Sequence, residues 1–267
     1  MRILCTGGAG YVGSACLRYL LDKGYEAFAF DDLSEGNAKA VPDSEHRLIV
    51  GDILNKRQLI ETLNSYKIDV VMHFAAVASV PDSITMPSLY WEVNVVGTKN
   101  VLDAMNECGI KNIVFSSTAA TYALTDNMPL DEAGLQMPLT PYGTTKLACE
   151  HMLNDYRIAY GIGFTVMRYF NASGADIDGE YGEDRRAESH LIPLAFHTAV
   201  GRRKKMLVYG DDWPTRDGSC VRDYVHVEDI AQAHVLAMEN NQPAIGNFYN
   251  IGSNEGASVL EILKQCE

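Results

Sequence analysis

With 267 residues, 47% of them hydrophobic and 21% charged, the chain has a globular composition and can bury one large core beside a smaller appendage. Its 22 Lys and Arg against 35 Asp and Glu give a net charge of −13, which argues against nucleic acid or an anionic membrane as partner. An anionic ligand must therefore be held by donors gathered locally. The six cysteines (Cys5, Cys16, Cys108, Cys149, Cys220 and Cys266) show no C-x-x-C or metal-ligand spacing, and the seven histidines show none either. They read as thiols in a reducing, cytoplasmic setting, and neither a signal peptide nor a membrane-spanning run is evident.

Residues 2–5 form an apolar strand that ends in Thr6-Gly7-Gly8-Ala9-Gly10-Tyr11-Val12-Gly13, and helical periodicity follows over 11–23. Strand, glycine turn and helix in that order suit a dinucleotide's pyrophosphate. Gly7, Gly10 and Gly13 let the backbone approach the phosphates, and the N–H groups and dipole of the helix start favour the anion. Gly8 falls outside the spacing. A second strand over 25–30 ends at Asp31-Asp32, with Asp31 eighteen residues beyond Gly13. A carboxylate there accepts from both adenosine ribose hydroxyls and repels a 2′-phosphate, so NAD is favoured over NADP.

A third strand over 47–50 leads into Gly51-Asp52-Ile53, a helix follows over 55–65 and a fourth strand over 69–74. A long helix is expected over 93–105, a fifth strand over 112–117, a helix over 141–160 and a sixth strand over 163–170. Six strands alternating with helices make an α/β, doubly wound parallel sheet of the Rossmann type, with ligands at the carboxyl ends of the strands. Beyond residue 171 the pattern loosens into functional loops at 178–188 and 210–223, around an apolar segment at 191–200 and a short strand at 206–209. A helix over 226–239, a strand over 248–251 that could rejoin the main sheet and a helical pattern from Ser258 complete the chain. The expected division is a dinucleotide-binding domain over 1–170 and a smaller substrate domain over 171–267, partly interleaved with the first.

Tyr142-Gly143-Thr144-Thr145-Lys146 carries the chemistry. Four residues apart on a helix, Tyr142 and Lys146 share a face. A phenol becomes a base near neutrality only if its phenolate is stabilised, and lowering its pKa by ~3 units takes roughly 4 kcal/mol. The Lys146 ammonium and the positive nicotinamide of an oxidised cofactor can together supply that in a dehydrated cleft. Thr118, at the end of the fifth strand, could bond the same reacting oxygen. Y-x-x-x-K is in isolation a frequent accident of helix surfaces; the glycine turn, Asp31 and Ser116-Ser117-Thr118 before it give it meaning.

These residues resemble the extended short-chain dehydrogenase/reductases, and within them the nucleotide-sugar 4-epimerases. The resemblance runs from the glycine turn through His73-Phe74-Ala75-Ala76, Asn94-Val95-Val96-Gly97-Thr98 and Pro141-Tyr142-Gly143-Thr144-Thr145-Lys146 to Arg168-Tyr169-Phe170-Asn171. Its most specific parts are Gly182-Glu183-Asp184, His190-Leu191-Ile192-Pro193 and the run from Asp217 to Val227. It implies that Tyr11 and Val12 meet the pyrophosphate, that Asp31, Asp32, Leu33, Ser34 and Gly36 meet the adenosine ribose, and that Asp52 and Ile53 meet the adenine. Phe74, Ala75, Ala76, Ala78, Asn94 and Phe170 would line the nicotinamide side, with Ala78 standing where many relatives carry a lysine. Thr118, Tyr142 and Lys146 would be catalytic, and Asn171, His190, Leu191 and Arg222 would hold the uridine diphosphate together with Thr118 and Tyr142. Arg222 would meet the phosphates without a basic surface around it.

The implied reaction interconverts UDP-galactose and UDP-glucose through a 4-keto intermediate on tightly bound NAD, with no metal. Epimerases of UDP-N-acetylglucosamine, UDP-glucuronate or a UDP-pentose share the pattern, and a non-catalytic NAD-binding regulator is the reading from another class. A dehydratase would need an Asp-Glu pair after the strand-end threonine, where this chain has Ala119-Ala120. The helix at 93–105 resembles one that, with the helix after Tyr142, joins subunits, which implies a homodimer. Relatives usually continue past position 267, so a truncated C-terminal end is expected.

Overall fold

The computed structural model describes residues 1–125, 128–186 and 188–266; Ala187, within the loop expected over 178–188, and Glu267 lie outside them. The first half alternates strand and helix as β1 (Arg2–Thr6), α1 (Tyr11–Asp22), β2 (Glu26–Asp31), α2 (Ser44–Arg47), β3 (Leu48–Val50), α3 (Lys56–Ser65) and β4 (Val70–His73). It continues with α4 (Val80–Thr85), α5 (Pro87–Tyr90), a π-helical turn at Trp91–Val96, α6 (Gly97–Glu107), β5 (Asn112–Thr118), α7 (Pro141–Tyr160) and β6 (Gly163–Tyr169). The remainder holds β7 (Asn171–Ser173), α8 (Leu191–Ala199), β8 (Val221–His226), α9 (Val227–Asn240), β9 (Gly246–Ile251), β10 (Gly256–Ser258) and α10 (Val259–Gln265).

Seven parallel strands form the main sheet in the order β3-β2-β1-β4-β5-β6-β9. Its strands are apolar on both faces because helices cover both. Ile3 and Cys5 join one core layer with Leu17, Leu20, Val235 and Met238 of α1 and α9, and Leu4 joins the other with Leu59, Leu102, Met105 and Leu153 of α3, α6 and α7. Local signals set the helix ends: Asn55 caps α3, Thr140 caps α7 ahead of Pro141, Gly161 closes α7 with φ 68°, and Ser258 and Glu261 form a capping box on α10. Among the described residues, no helix is long and apolar enough to cross a membrane.

The order in which strands are added reverses between β1 and β4, which lie side by side and parallel at the centre of the sheet. In such sheets a ligand crevice opens beyond the strand ends at this reversal, here between Gly7 and Phe74. The strand expected over 248–251 does rejoin the main sheet, as β9 beside β6. Two expectations need correction. The long helix over 93–105 begins instead as α5 and a π turn, with regular α-helix only from Gly97. Residues 206–209 form no strand: Leu207, Val208 and Tyr209 are exposed, and the nearby sheet pairs β8 with β7 and β10 instead. The run is apolar, but among the described residues no strand pairs with it.

Candidate active site

The glycine turn is a close approach of backbone to backbone. Gly7 has φ 71°, and a Cβ there would lie 2.5 Å from the Ala75 nitrogen at the end of β4. A Cβ on Gly13 would lie 2.1 Å from the Gly7 carbonyl oxygen, so α1 can start against the turn only without a side chain. Gly10 precedes α1 and provides no side-chain cap, which leaves the first-turn N–H groups for an anion. Above the turn lies a cleft with about 820 Å³ of empty space, lined by Gly7, Gly10, Tyr11, Val12, Gly13, Phe74, Ala76 and Ala78 among others. A second hollow of about 630 Å³ beside it is lined by Leu33 and Gly36. The expected cofactor residues of the turn and of the β4 end thus meet around one crevice.

Asp31 is 7% exposed at the end of β2. Its carboxylate accepts from the Ala9 and Leu33 N–H groups, both at 2.9 Å. Burial raises its pKa against these two donors. Two lone-pair directions remain for ribose hydroxyls. Asp32 is occupied by its own turn, accepting from the Ser34 N–H and hydroxyl. Asp52 likewise accepts from the Leu54 N–H, while Ile53 is buried in the core against α6. Neither lines either cavity.

Asn94 is a bracket within the π turn. Its amide oxygen accepts from the Val77 N–H at 2.9 Å, and its amide nitrogen donates to the Val77 carbonyl and the Thr145 hydroxyl, both at 3.1 Å. Thr145 donates in turn to the Tyr142 carbonyl at 2.8 Å. The extra π residue brings the loop over 74–78 and the start of α7 into one network, a common use of π turns at sites. Behind it, fully buried His73 bridges β1 and α6: Thr6 donates to Nδ1 at 2.6 Å, and Nε2 donates to Thr98 at 2.9 Å. The Thr98 proton goes to the Asn94 carbonyl, which fixes this tautomer. Burial and the Lys146 charge push the His73 pKa down to about 3.

Tyr142 stands in the first turn of α7 with Lys146 one turn later. The Lys146 ammonium is buried, donates to the Ser116 carbonyl at 2.9 Å and sits 4.8 Å over the Phe115 ring. Burial lowers its pKa to about 8, opposed by the Cys149 and Glu150 charges. The phenol of Tyr142 is pushed well above its ordinary value by burial and by Tyr169, against a hydrogen bond from Thr118 and the charge of Arg185. The protein's own groups therefore do not make Tyr142 a base near neutrality; a positive charge must arrive with a ligand. The Thr118 oxygen accepts from the Ala120 N–H at 3.1 Å, so its proton is free to donate toward Tyr142 or a substrate oxygen. Tyr169 donates to or accepts from Ser116 at 2.6 Å and lines the cleft.

Of the expected substrate residues, Asn171 and Arg222 lie on the small sheet, and His190 and Leu191 stand at the start of α8. Asn171 on β7 donates to the Asp223 carbonyl at 2.7 Å, and Leu191 opens α8. Exposed Arg222 on β8 donates to the Val221 carbonyl at 2.7 Å. His190 pairs with Glu183 at 2.6 Å, and Glu183 also holds Arg185 at 2.6 Å. Glu183, Glu188 and His190 converge within 4.8 Å; burial works to raise the Glu183 pKa, but the contacts from His190 and Arg185 prevail and hold it below its ordinary value. None of the six expected substrate residues (Thr118, Tyr142, Asn171, His190, Leu191 and Arg222) lines the two cavities above, and Phe170 does not line them either. Sequence reasoning missed Tyr169, Asn37, Asp184 and Arg185 as lining residues. Tyr169 and Asp184 lay inside quoted motifs without a role, whereas Asn37 and Arg185 gave no signal.

A glycine cradle at the reversal of a parallel sheet, an acidic strand end and a Tyr-Lys helix face at the same edge define a dinucleotide-dependent enzyme of the short-chain dehydrogenase/reductase type. Residues 3–252 match the model of the NAD dependent epimerase/dehydratase family, and the chain belongs to that family. It is 44% identical to the UDP-glucose 4-epimerase of Corynebacterium glutamicum, over 100% of this chain and 79% of that protein. The crystal structure of UDP-glucose 4-epimerase from Brucella ovis in complex with NAD superposes with a TM-score of 0.94 at 46% identity, covering 98% of this chain and 81% of that one. The enzyme from Bifidobacterium longum, in complex with NAD+ and UDP, gives 0.93 at 33% identity, covering 99% and 82%.

Proposed function

We propose that this protein is an NAD-dependent UDP-sugar 4-epimerase that interconverts UDP-galactose and UDP-glucose. The observation that carries this is the placement of Tyr142, Lys146 and Thr118 at the same sheet edge as the Gly7–Gly13 cradle. Similarity to UDP-glucose 4-epimerases across the whole chain supplies the substrate. The cradle fits a dinucleotide, since a Cβ at Gly7 or Gly13 would fill the space its backbone needs. Gly7, Gly10, Tyr11, Val12 and Gly13 would hold the pyrophosphate, Asp31 the ribose, and Phe74, Ala76, Ala78 and Tyr169 the nicotinamide side. NAD bound there supplies a hydride acceptor and donor, and a positive charge near the phenol.

With that charge in place, Tyr142 takes the proton of the sugar 4-hydroxyl and later returns it. Lys146, fixed by the Ser116 carbonyl, stabilises the phenolate, and the Thr118 hydroxyl donates to the reacting oxygen. Asn171, His190, Leu191 and Arg222 anchor the uridine diphosphate, so that the 4-keto sugar can turn and present its other face. Ala119 and Ala120 after Thr118 offer no acid for an elimination, which favours epimerisation over dehydration. We place the cofactor on residues 1–170 and the nucleotide sugar on 171–267. The free cysteines support a cytoplasmic location. The exposed side chains of Leu89, Trp91 and Val96 support a homodimer through the α5–α6 face.

Tyr142→Phe tests the assignment, because it removes the proton acceptor and leaves the cradle intact. Turnover is expected to fall by at least about a hundredfold, with NAD content after gel filtration unchanged. Turnover near the parent rate would refute the role given to Tyr142.

A further inference from the structure

Resting on the NAD reading above, we infer that Arg185 is the cation that holds the cofactor's pyrophosphate, carried over the glycine turn by the segment 174–186. This segment comes from the second half of the chain and is fastened to the first at four places. Tyr11 donates to the Gly174 carbonyl at 2.6 Å. Arg18 lies 4.7 Å over the Tyr181 ring and 3.6 Å from Glu180. Asn37 donates to Asp184 at 3.0 Å, and Arg186 donates to the Leu33 carbonyl at 2.9 Å. The last two ties lie on either side of Arg185 in sequence, so its backbone is held above the crevice.

Arg185 lines both hollows: the cleft over Gly10–Gly13 and the neighbouring one at Leu33 and Gly36. A group joining the ribose side to the nicotinamide side must cross the boundary these hollows share, and in a dinucleotide that group is the pyrophosphate. Among the residues lining the cleft over the glycine turn, Arg185 is the one cation. Its Nε donates to Glu183 at 2.6 Å, which orients the planar fork. Among the described residues no partner takes its two Nη groups, and these suit phosphate oxygens. Its charge lowers the pKa of Tyr11, Tyr142 and Tyr169 alike, as a cation facing the cleft does. Arg186 lines only the hollow at Leu33 and Gly36, where one Nη donates to the Leu33 carbonyl, and does not reach the cleft over the glycine turn. Glu183 pairs with the Arg185 charge from one side and Glu35 and Asp184 also line the cleft, so what the guanidinium brings to a phosphate is its two oriented Nη donors, beside the N–H groups of the helix start.

The test follows the rate at which bound NAD leaves the full-length protein, by chase with isotopically labelled NAD, together with UDP affinity of the loaded protein by calorimetry. Arg185→Ala is expected to speed NAD release about tenfold or more, and Arg185→Lys to recover part of the loss. Asn37→Ala, which loosens the segment but keeps the cation, should give a smaller acceleration. Release from the wild type should quicken with salt, and less so from Arg185→Ala. UDP affinity should stay within about twofold of the wild type, since the guanidinium is assigned to the other diphosphate. Unchanged NAD release in Arg185→Ala overturns the inference and leaves the epimerase reading standing. Loss of UDP affinity with unchanged NAD release does the same, and moves Arg185 to the substrate's diphosphate. A wild-type protein that carries no NAD and binds none overturns both.

Discussion

His73 makes the fold acid-sensitive by an amount that can be worked from its surroundings. It is fully buried between Thr6 and Thr98, and burial together with the Lys146 charge pushes its pKa from 6.5 down to about 3. In the unfolded chain it takes up a proton below about pH 6.5; in the folded chain it stays neutral until about pH 3. The unfolded state therefore binds more protons across that window, so stability is lost as pH falls from about 6.5. At about pH 5 the group is 1.5 units below its unfolded value, which amounts to roughly 2 kcal/mol. In His73→Gln this loss disappears, at a cost of about 1–3 kcal/mol at neutral pH from the disturbed Thr6–His73–Thr98 bridge. Urea unfolding at about pH 7 and pH 5 should show the wild type losing about 2 kcal/mol more than the variant on acidification. Buried His234, also pushed down to about 4, is common to both proteins and cancels in the comparison. Equal losses in the two proteins would refute the neutral, bridged state of His73.

Two further outcomes follow from the charged groups of the site. Asp31→Ala should shift the ratio of NAD to NADP affinity toward NADP, measured by titration of the two cofactors. It should also destabilise the fold by about 1–3 kcal/mol, because the Ala9 and Leu33 N–H groups lose their acceptor; an unchanged ratio would remove Asp31 from the ribose site. Turnover should decline as pH rises through about 8, where Lys146 gives up its proton and its charge no longer supports the phenolate. A pH–rate profile flat across that range would show that the Lys146 charge is not used.

The parallel sheet was legible because strands such as 3–5 and 70–72 are apolar on both faces, and because Asn55, Pro141 and Gly161 mark helix ends by their own chemistry. Gly8 fell outside the glycine spacing, yet a Cβ there would meet the Ala29 Cβ at 2.7 Å; its reason is strand packing, which a ligand-centred motif does not encode. The small sheet was harder. Asn171–Ser173 pairs with Tyr224–His226, some fifty residues away, and short half-buried strands carry little periodicity. Asn94 is expected beside the nicotinamide from its motif; that its side chain also ties Val77 to Thr145 depends on the π turn, which residue type does not reveal. Arg185 was invisible for a similar reason. Only the ties of Asn37 to Asp184 and of Arg186 to Leu33, each about 150 residues apart in the chain, bring it over the turn.

The central claim is a hydride removed and returned on one cofactor that never leaves. It is tested most directly by incubating the purified protein with UDP-galactose, without added NAD, and following UDP-glucose by chromatography or NMR. Conversion to an equilibrium mixture, with no net NADH released into solution, is the expected result. No conversion of UDP-galactose by a protein that carries bound NAD would contradict the claim; conversion of UDP-N-acetylglucosamine, UDP-glucuronate or a UDP-pentose instead would keep the chemistry and reassign the sugar.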